Sequence, residues 1–223
     1  MHARSWLVLG VATTWLYGVA AVTDAAAVAA APDTALDRFL SGLQNLQSEF
    51  TQETRDARGN LVESGKGQLI VQRPGRFRWE FRANGSAAEG GQLMIADGKN
   101  LWFYERELAQ VTVREATAAL GATPVVLLSG TTSEIQSAFA ITRLANRDGL
   151  ERVAIVPRSN AADFSRAEIG FKGQVLATME INDKLGQSVR MKFSKVARNK
   201  TVSATLLTFA VPPGVDVIGT ALH

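Results

Sequence analysis

The sequence predicts a mainly β, antiparallel fold, with one helix ahead of the strands and a short helical pair inserted among them. Three observations carry this. After the Arg73-Pro74-Gly75 turn, Phe77, Trp79 and Phe81 alternate strictly with Arg76, Arg78, Glu80 and Arg82. Strand geometry sends successive side chains to opposite faces, so this stretch is half-buried with a large aromatic inner face. Downstream, five further apolar runs are separated by turn residues at regular spacing, the pattern of an antiparallel meander. Finally, 223 residues with 46% apolar and 20% charged content suffice for one large β domain with a real core.

The first residues read as a targeting segment. Arg4 supplies a basic start, Trp6–Val22 an apolar run and Asp24–Ala31 small residues for cleavage, so residues 1–29 are expected to be a cleaved secretory signal peptide. Residues 30–223 are then one exported, soluble domain. Losing Arg4 and Asp24 leaves the formal charge at +3. The pI near 9.4 permits attraction to anionic surfaces or acidic partners, but no basic run is dense enough to suggest nucleic acid.

The mature chain opens with a helix. Thr34 and Asp37 have capping-box spacing, and Leu36, Phe39, Leu40, Leu43 and Leu46 recur at helical intervals, so one face docks on something apolar. From Leu46 the period becomes two, through Ser48, Phe50, Gln52 and Thr54. Arg58-Gly59-Asn60 turns the chain into a strand over Leu61–Val71, where Gly65 and Gly67 permit a bend or bulge.

Beyond the aromatic strand and a loop over Ala83–Gly91, Gln92–Ala96 and Lys99–Tyr104 form a hairpin around Asp97-Gly98, a pair suited to a tight turn. Leu101 and Phe103 oppose Trp102 and Tyr104, so both faces of its second strand are bulky; Leu108–Arg114 alternates again. The period then breaks. Glu115–Leu120 is Ala-rich and helical, and Thr123-Pro124 starts a second short helix over Val125, Val126, Leu127 and Leu128, ended by Ser129-Gly130. Apolar nearly all round, this helix must cover something apolar, and the pair reads as a plug or lid. A polar connection is expected at Thr131–Ser137. Strands follow at Ala138–Ala145, Leu150–Val156, Phe164–Phe171, Val175–Asn182 and Gln187–Val196. One helical turn at Ser203–Leu206 and a final strand at Leu207–Val211 close the chain.

Candidate chemistry is thin. With no Cys, disulfides, thiolate metal sites and a Cys nucleophile are excluded; His2 and His223 are the only imidazoles, so no Ser-His-acid triad forms at Ser129. Glu80, Asp97, Glu105 and Glu107 could in principle supply a glycosidase pair, but they read as solvated surface charges, as do Arg106, Arg114, Arg143, Arg147 and Arg152. No catalytic residue, metal site or cofactor is expected. Arg73 differs: beside Pro74 at a strand entrance, its fork of donors could tie several backbone carbonyls together, or it could be an ordinary exposed arginine.

Three ordered motifs carry a family resemblance: Arg73-Pro74-Gly75-Arg76-Phe77-Arg78-Trp79, then Ala96–Tyr104, then Gly121–Leu128. With Phe50-Thr51-Gln52 and Phe209–Gly214, they resemble the periplasmic outer-membrane lipoprotein carriers of the LolA family over essentially the whole mature chain. The resemblance implies an unclosed antiparallel β-barrel, a half-barrel, covered by the N-terminal helix and a helical lid. It implies a cavity for lipoprotein acyl chains, collected from an inner-membrane ATP-driven release complex and delivered to an outer-membrane lipoprotein receptor of similar fold. Arg73 matches the arginine that bonds the lid closed. Phe77, Trp79, Leu101 and Phe103 match cavity positions, Phe50, Phe81, Leu93 and Ile95 extend the expected wall, and Pro124, Val125, Val126, Leu127 and Leu128 fall on the lid. Glu115–Leu120 departs from the family pattern in being so Ala-rich. In that family the receptor carries a lipidated N-terminal Cys, so for this Cys-free chain the resemblance implies the carrier, expected as a periplasmic monomer and not an enzyme. The alternative of another class is a periplasmic lipid-binding sensor or regulatory domain of similar fold.

Overall fold

A computed structural model describes residues 34–87, 90–116, 126–160 and 162–222, the side chain of Val126 excepted. The expected leader, residues 117–120 of the Ala-rich helix, and Pro124 and Val125 of the lid lie outside these residues.

Helix α1 (Ala35–Leu40) begins as its capping residues dictate. The Thr34 hydroxyl accepts from the Asp37 amide, and the Asp37 carboxylate accepts from the Thr34 amide. Its apolar stripe of Leu36, Phe39 and Leu40 is buried against the sheet interior, with the Phe39 and Phe171 rings 5.3 Å apart.

Six strands follow: β1 (Asn45–Arg55), β2 (Leu61–Gln72), β3 (Arg76–Ala83), β4 (Gln92–Asp97), β5 (Asn100–Glu105) and β6 (Gln110–Glu115). Two short helices, α2 (Val126–Ser129) and α3 (Thr132–Ala138), lead into β7 (Phe139–Arg147), β8 (Leu150–Pro157), β9 (Phe164–Lys172), β10 (Val175–Asp183) and β11 (Ser188–Arg198). A last strand, β12, spans Asp216–Ile218. All twelve belong to one sheet, in the order β12-β6-β5-β4-β3-β2-β1-β11-β10-β9-β8-β7. The sheet does not close: β7 and β12 are its two edges. The fold is therefore the expected mainly β half-barrel, with α1, α2 and α3 contributing Leu36, Leu127, Leu128 and Ile135 to its inner core.

Register fixes the inner face. On β1, Leu46, Ser48, Phe50 and Gln52 stand opposite Val71, Leu69, Gly67 and Gly65 of β2, which in turn face Phe77, Trp79, Phe81 and Ala83 of β3. The two glycines are required by ring packing. A Cβ on Gly67 would lie 2.1 Å from the Glu80 carbonyl oxygen and 2.4 Å from the Phe50 ring; on Gly65 it would lie 2.7 Å from the Phe81 ring. Phe50 thus lies over backbone and stacks on Trp79 and Phe81, at ring separations of 5.8 and 6.5 Å.

The outer face carries a second, smaller apolar layer. Leu93 and Ile95 of β4 pair with Glu80 and Arg78 on one side and with Tyr104 and Trp102 on the other, and Val111 and Val113 of β6 continue the row. The chain after β11 crosses this layer to reach β12. Leu207 ends a short 3-10 turn (Ala204–Leu207) and is buried, and Phe209 sits 5.3 Å from Trp102 and 6.0 Å from Tyr104.

Three expectations are corrected here. Leu207–Val211 forms no strand; its apolar residues cover the outer layer instead of joining the sheet. The strand that does follow, β12, pairs with β6 in parallel, an exception to the antiparallel rule. Thr131–Ser137 is mostly helix α3, started by a capping box between Thr131 and Glu134.

Gly67→Val should cost about 3 kcal/mol or more through overpacking, because both the Glu80 backbone and the Phe50 ring block its Cβ. Gln68→Val, next to it but exposed on the outer face, should change stability by no more than about 0.5 kcal/mol. Urea unfolding of both variants checks the difference.

Candidate functional site

Three segments meet at the β2–β3 turn. The Arg73 side chain is half-buried and donates from Nη1 to the Leu40 carbonyl at 2.9 Å. From Nε and Nη2 it donates to the Gly130 carbonyl at 3.1 and 2.7 Å. Leu40 is the last residue of α1, and Gly130 separates α2 from α3. The backbone adds two more ties: the Arg73 amide donates to Gln44 and the Gly75 amide to Ser129, each at 2.8 Å. One guanidinium therefore joins the N-terminal helix to the helical insertion, using carbonyls that helix ends leave without intrahelical partners.

Burial lowers the pKa of Arg73, and the negative charge of Glu134 opposes that shift; a guanidinium stays cationic regardless. Glu134 also holds the start of α3. Its carboxylate accepts from the Thr131 amide at 2.7 Å and from the Thr131 hydroxyl at 2.8 Å. These bonds, together with the Arg73 charge and against weak desolvation, hold the Glu134 carboxyl below its ordinary range.

Beneath this tie, Leu127 and Leu128 are fully buried in the inner core, with Phe50, Phe77, Trp79, Phe81 and Leu101. Phe103 lies on the same face, opposite Met94, and is half-buried. Leu93 and Ile95 do not join them. Their register puts them on the outer face, in the layer covered by Leu207 and Phe209, so they are no part of the expected wall. Met94, Ala96 and Phe193 take inner positions instead, Phe193 edge-on to Phe50 at 6.2 Å. Alternation within β4 could not choose between the two phases, because both carry large apolar residues; pairing with β3 decides it.

The outer charges are more engaged than sequence suggests. Glu80 accepts from Arg78 and Arg106, each at 2.7 Å, and these bonds outweigh its desolvation, leaving its carboxyl below the ordinary range. Asp97 organises the β4–β5 turn, accepting from the Lys99 and Asn100 amides and from Trp102 Nε1. Arg152 pairs with Glu168. A groove of about 480 Å³ is lined mostly by polar residues of this side, Lys66, Glu80, Arg82 and Arg106 among them, and also touches Phe50 and Gly67.

The arrangement is an apolar interior under a helical cover held by a few polar bonds. Comparison with known proteins bears on what such a device belongs to. The family described as "Outer membrane lipoprotein carrier protein LolA" matches residues 41–210. The chain belongs to that family. An outer-membrane lipoprotein carrier protein of Chromobacterium violaceum is 36% identical over 201 residues, covering 90% of this chain and 91% of the relative. One from Methylobacillus flagellatus is 33% identical over 184 residues, covering 82% and 87%. Among solved structures, an uncharacterized conserved protein from Thermus thermophilus is similar at a TM-score of 0.50 and 16% identity, over 82% of this chain and 96% of that one. That likeness concerns the fold alone.

A depressed carboxyl pKa contributes stability above its unfolded value and loses it as pH falls through the folded value. Amide protection at Glu134 and Ile135 should therefore stay level down to the ordinary Glu value of 4.5 and drop below it. Hydrogen exchange of wild type beside Glu134→Gln checks this, because the Gln variant keeps a capping side chain but should lose the pH step.

Proposed function

We propose that this chain is a periplasmic chaperone that binds the acyl chains of lipoproteins and delivers them to the outer membrane. Family membership supports the carrier role, and the observation that carries the mechanism is the Arg73 bridge from Leu40 to Gly130 above an apolar, aromatic inner face. In this reading the acyl chains enter between that face and the helical insertion, and Arg73 is the latch. The inner wall comprises Phe50, Phe77, Trp79, Phe81, Leu101 and Phe103, and the lid carries Pro124, Val125, Val126, Leu127 and Leu128. The guest arrives from an ATP-driven release complex in the inner membrane and passes to an outer-membrane lipoprotein receptor. Residues 1–29 direct export and are then removed.

Magnitudes decide how the lid works. Exposing Leu127 and Leu128 costs roughly 1.5–3 kcal/mol each, and each charge-assisted bond of Arg73 adds about 1.5–3 kcal/mol. An acyl chain of about sixteen carbons gains roughly 12 kcal/mol on leaving water, the same order as the sum of those closing terms, so the guest competes with closure on near-equal footing. Leaving a bilayer gains almost nothing, because lipid is equally apolar, so loading from a membrane needs outside work. Delivery needs only a better-fitting receptor, and lid closure helps expel the guest. No bond-making chemistry is required of the carrier.

Two experiments test this reading. Leu127→Asp should weaken binding of an apolar fluorescent probe far more than Arg147→Asp, since a buried charge costs several kcal/mol. Equal binding by the two folded variants would place the guest elsewhere. Arg73→Leu removes the latch donors and should still load. It should then hold its cargo longer, so that transfer from preloaded carrier to receptor slows by about tenfold or more. Transfer at the wild-type rate would reduce Arg73 to a structural arginine.

A further inference from the structure

The α1 end of the Arg73 bridge rests on residues 41–44, which join α1 to β1. Arg73 reaches this linker through two carbonyls that flank it, Leu40 by Nη1 and Gln44 by its own amide. β2 is one neighbour of β1, and β11 is the other. From the β11 side, Arg198 and Asn199 reach the same linker. The Asn199 side chain accepts from the Gln44 amide at 2.8 Å and the Asn45 amide at 3.2 Å, and donates to the Gly42 carbonyl at 2.9 Å. Its own amide donates to the Asn45 carbonyl at 2.7 Å. Arg198 donates from Nη2 to the Ser41 carbonyl at 3.0 Å, and its guanidinium lies 5.2 Å from the centre of the Phe39 ring.

These hydrogen bonds all end on backbone, so they fix the path of the linker rather than any of its side chains. Asn199 has a φ of 56°, in the left-handed region that asparagine enters at lower cost than most residues. The path matters for Arg73 because of Leu43. Its amide donates to the Leu40 carbonyl at 3.1 Å, the same oxygen that accepts from Arg73 Nη1. Leu43 sits between Gly42 and Gln44, the two residues that the Asn199 side chain holds. Hydrogen bonds weaken steeply once misaligned, so a shift of this loop would take the Leu40 oxygen out of line with the guanidinium. The body of α1 is pinned separately, by Arg38 on Glu151 of β8 and by the buried Leu36 and Phe39.

We propose that Asn199, assisted by Arg198, is a positioning residue for the latch. By holding the linker it presents the Leu40 carbonyl to Arg73 and makes α1 the fixed half of the bridge. The α2–α3 insertion is then the half that moves when Arg73 lets go. The bonds of Asn199 fall on residues 42, 44 and 45, so its influence on the insertion passes through Arg73. Asn199 is exposed, and bonds that compete with water contribute little to the fold as a whole. This inference rests on the reading of Arg73 as a latch and names what sets its geometry.

The test is a double-mutant cycle between Asn199→Gly and Arg73→Leu. Glycine keeps the left-handed backbone and the amide bond to Asn45 while removing the three side-chain bonds. Two readouts are followed. One is hydrogen exchange of the Gly75 amide, which bonds Ser129 of α2 and so reports the lid side, away from the mutated residue. The other is release of a preloaded fluorescent palmitoylated peptide into phosphatidylcholine vesicles. Asn199→Gly should speed the exchange and slow the release by about threefold each, and Arg73→Leu by about tenfold or more. In the Arg73→Leu background, Asn199→Gly should change neither readout by more than about 1.5-fold, because the contact it positions is already gone. Equal effects of Asn199→Gly with and without Arg73 would make it a general stability contribution. No effect beside an active Arg73→Leu would make it a local cap, with the latch standing on its own; either result overturns the proposal. Wild-type values for Arg73→Leu itself would overturn the latch reading, and this inference with it.

Discussion

The structure depends on one constraint: an inner face too apolar to meet water must be covered, and under the proposed carrier function that cover must also move. A packed sheet-on-sheet core would solve the first half and forbid the second. This chain instead leaves the sheet unclosed and fills part of the interior with side chains from α2 and from α3, a helix of seven residues. Helices that short have almost no stability of their own, so their position depends on Leu127, Leu128 and Ile135 inside and on Arg73 at the rim. The cover is held by a few discrete contacts, as the proposed opening requires.

The polar side of that balance is arranged economically. Arg73 bonds carbonyls rather than carboxylates, so in the proposed opening only one charge, the half-buried guanidinium itself, would exchange its partners for water. A buried ion pair would have been costly to break and slow to open. Glu134 lies close enough for its charge to be felt at Arg73 but spends its hydrogen bonds on Thr131, so it fixes the start of α3 without clamping the guanidinium. The glycines of β2 serve the opposite requirement. By letting Phe50 lie on backbone, Gly65 and Gly67 allow the aromatic floor to pack tightly.

Much of this was legible in the sequence, and the failures have physical causes. The strict alternation of Phe77, Trp79 and Phe81 announced a one-sided strand, and the structure puts all three inside. Leu93 and Ile95 were misplaced because a strand with large residues in both phases carries no label for the inner face; only pairing with Arg78 and Glu80 supplies one. Helix α3 was read as a polar connection because a single residue, Ile135, is buried, though Thr131 and Glu134 already stood in capping-box spacing. Leu207 and Phe209 looked like a strand because covering an outer layer demands the same apolar residues as pairing does. The donors of Arg73 were foreseeable; its acceptors, the carbonyls of Leu40 and Gly130, were not, since a backbone oxygen leaves no trace in the residue alphabet.

The central claim is that the guest sits on the inner face, and two tryptophans report on it. Trp79 is on the inner face and Trp102 is on the outer face beneath Phe209. The remaining two of the four tryptophans, Trp6 and Trp15, lie in the segment expected to be removed on export. Quenching of tryptophan fluorescence by a spin-labelled acyl chain, measured on mature Trp79→Phe and Trp102→Phe, therefore reads each face separately. The account predicts strong quenching in Trp102→Phe, where Trp79 remains, and little in Trp79→Phe. Equal quenching in both, or stronger quenching of Trp102, would contradict it.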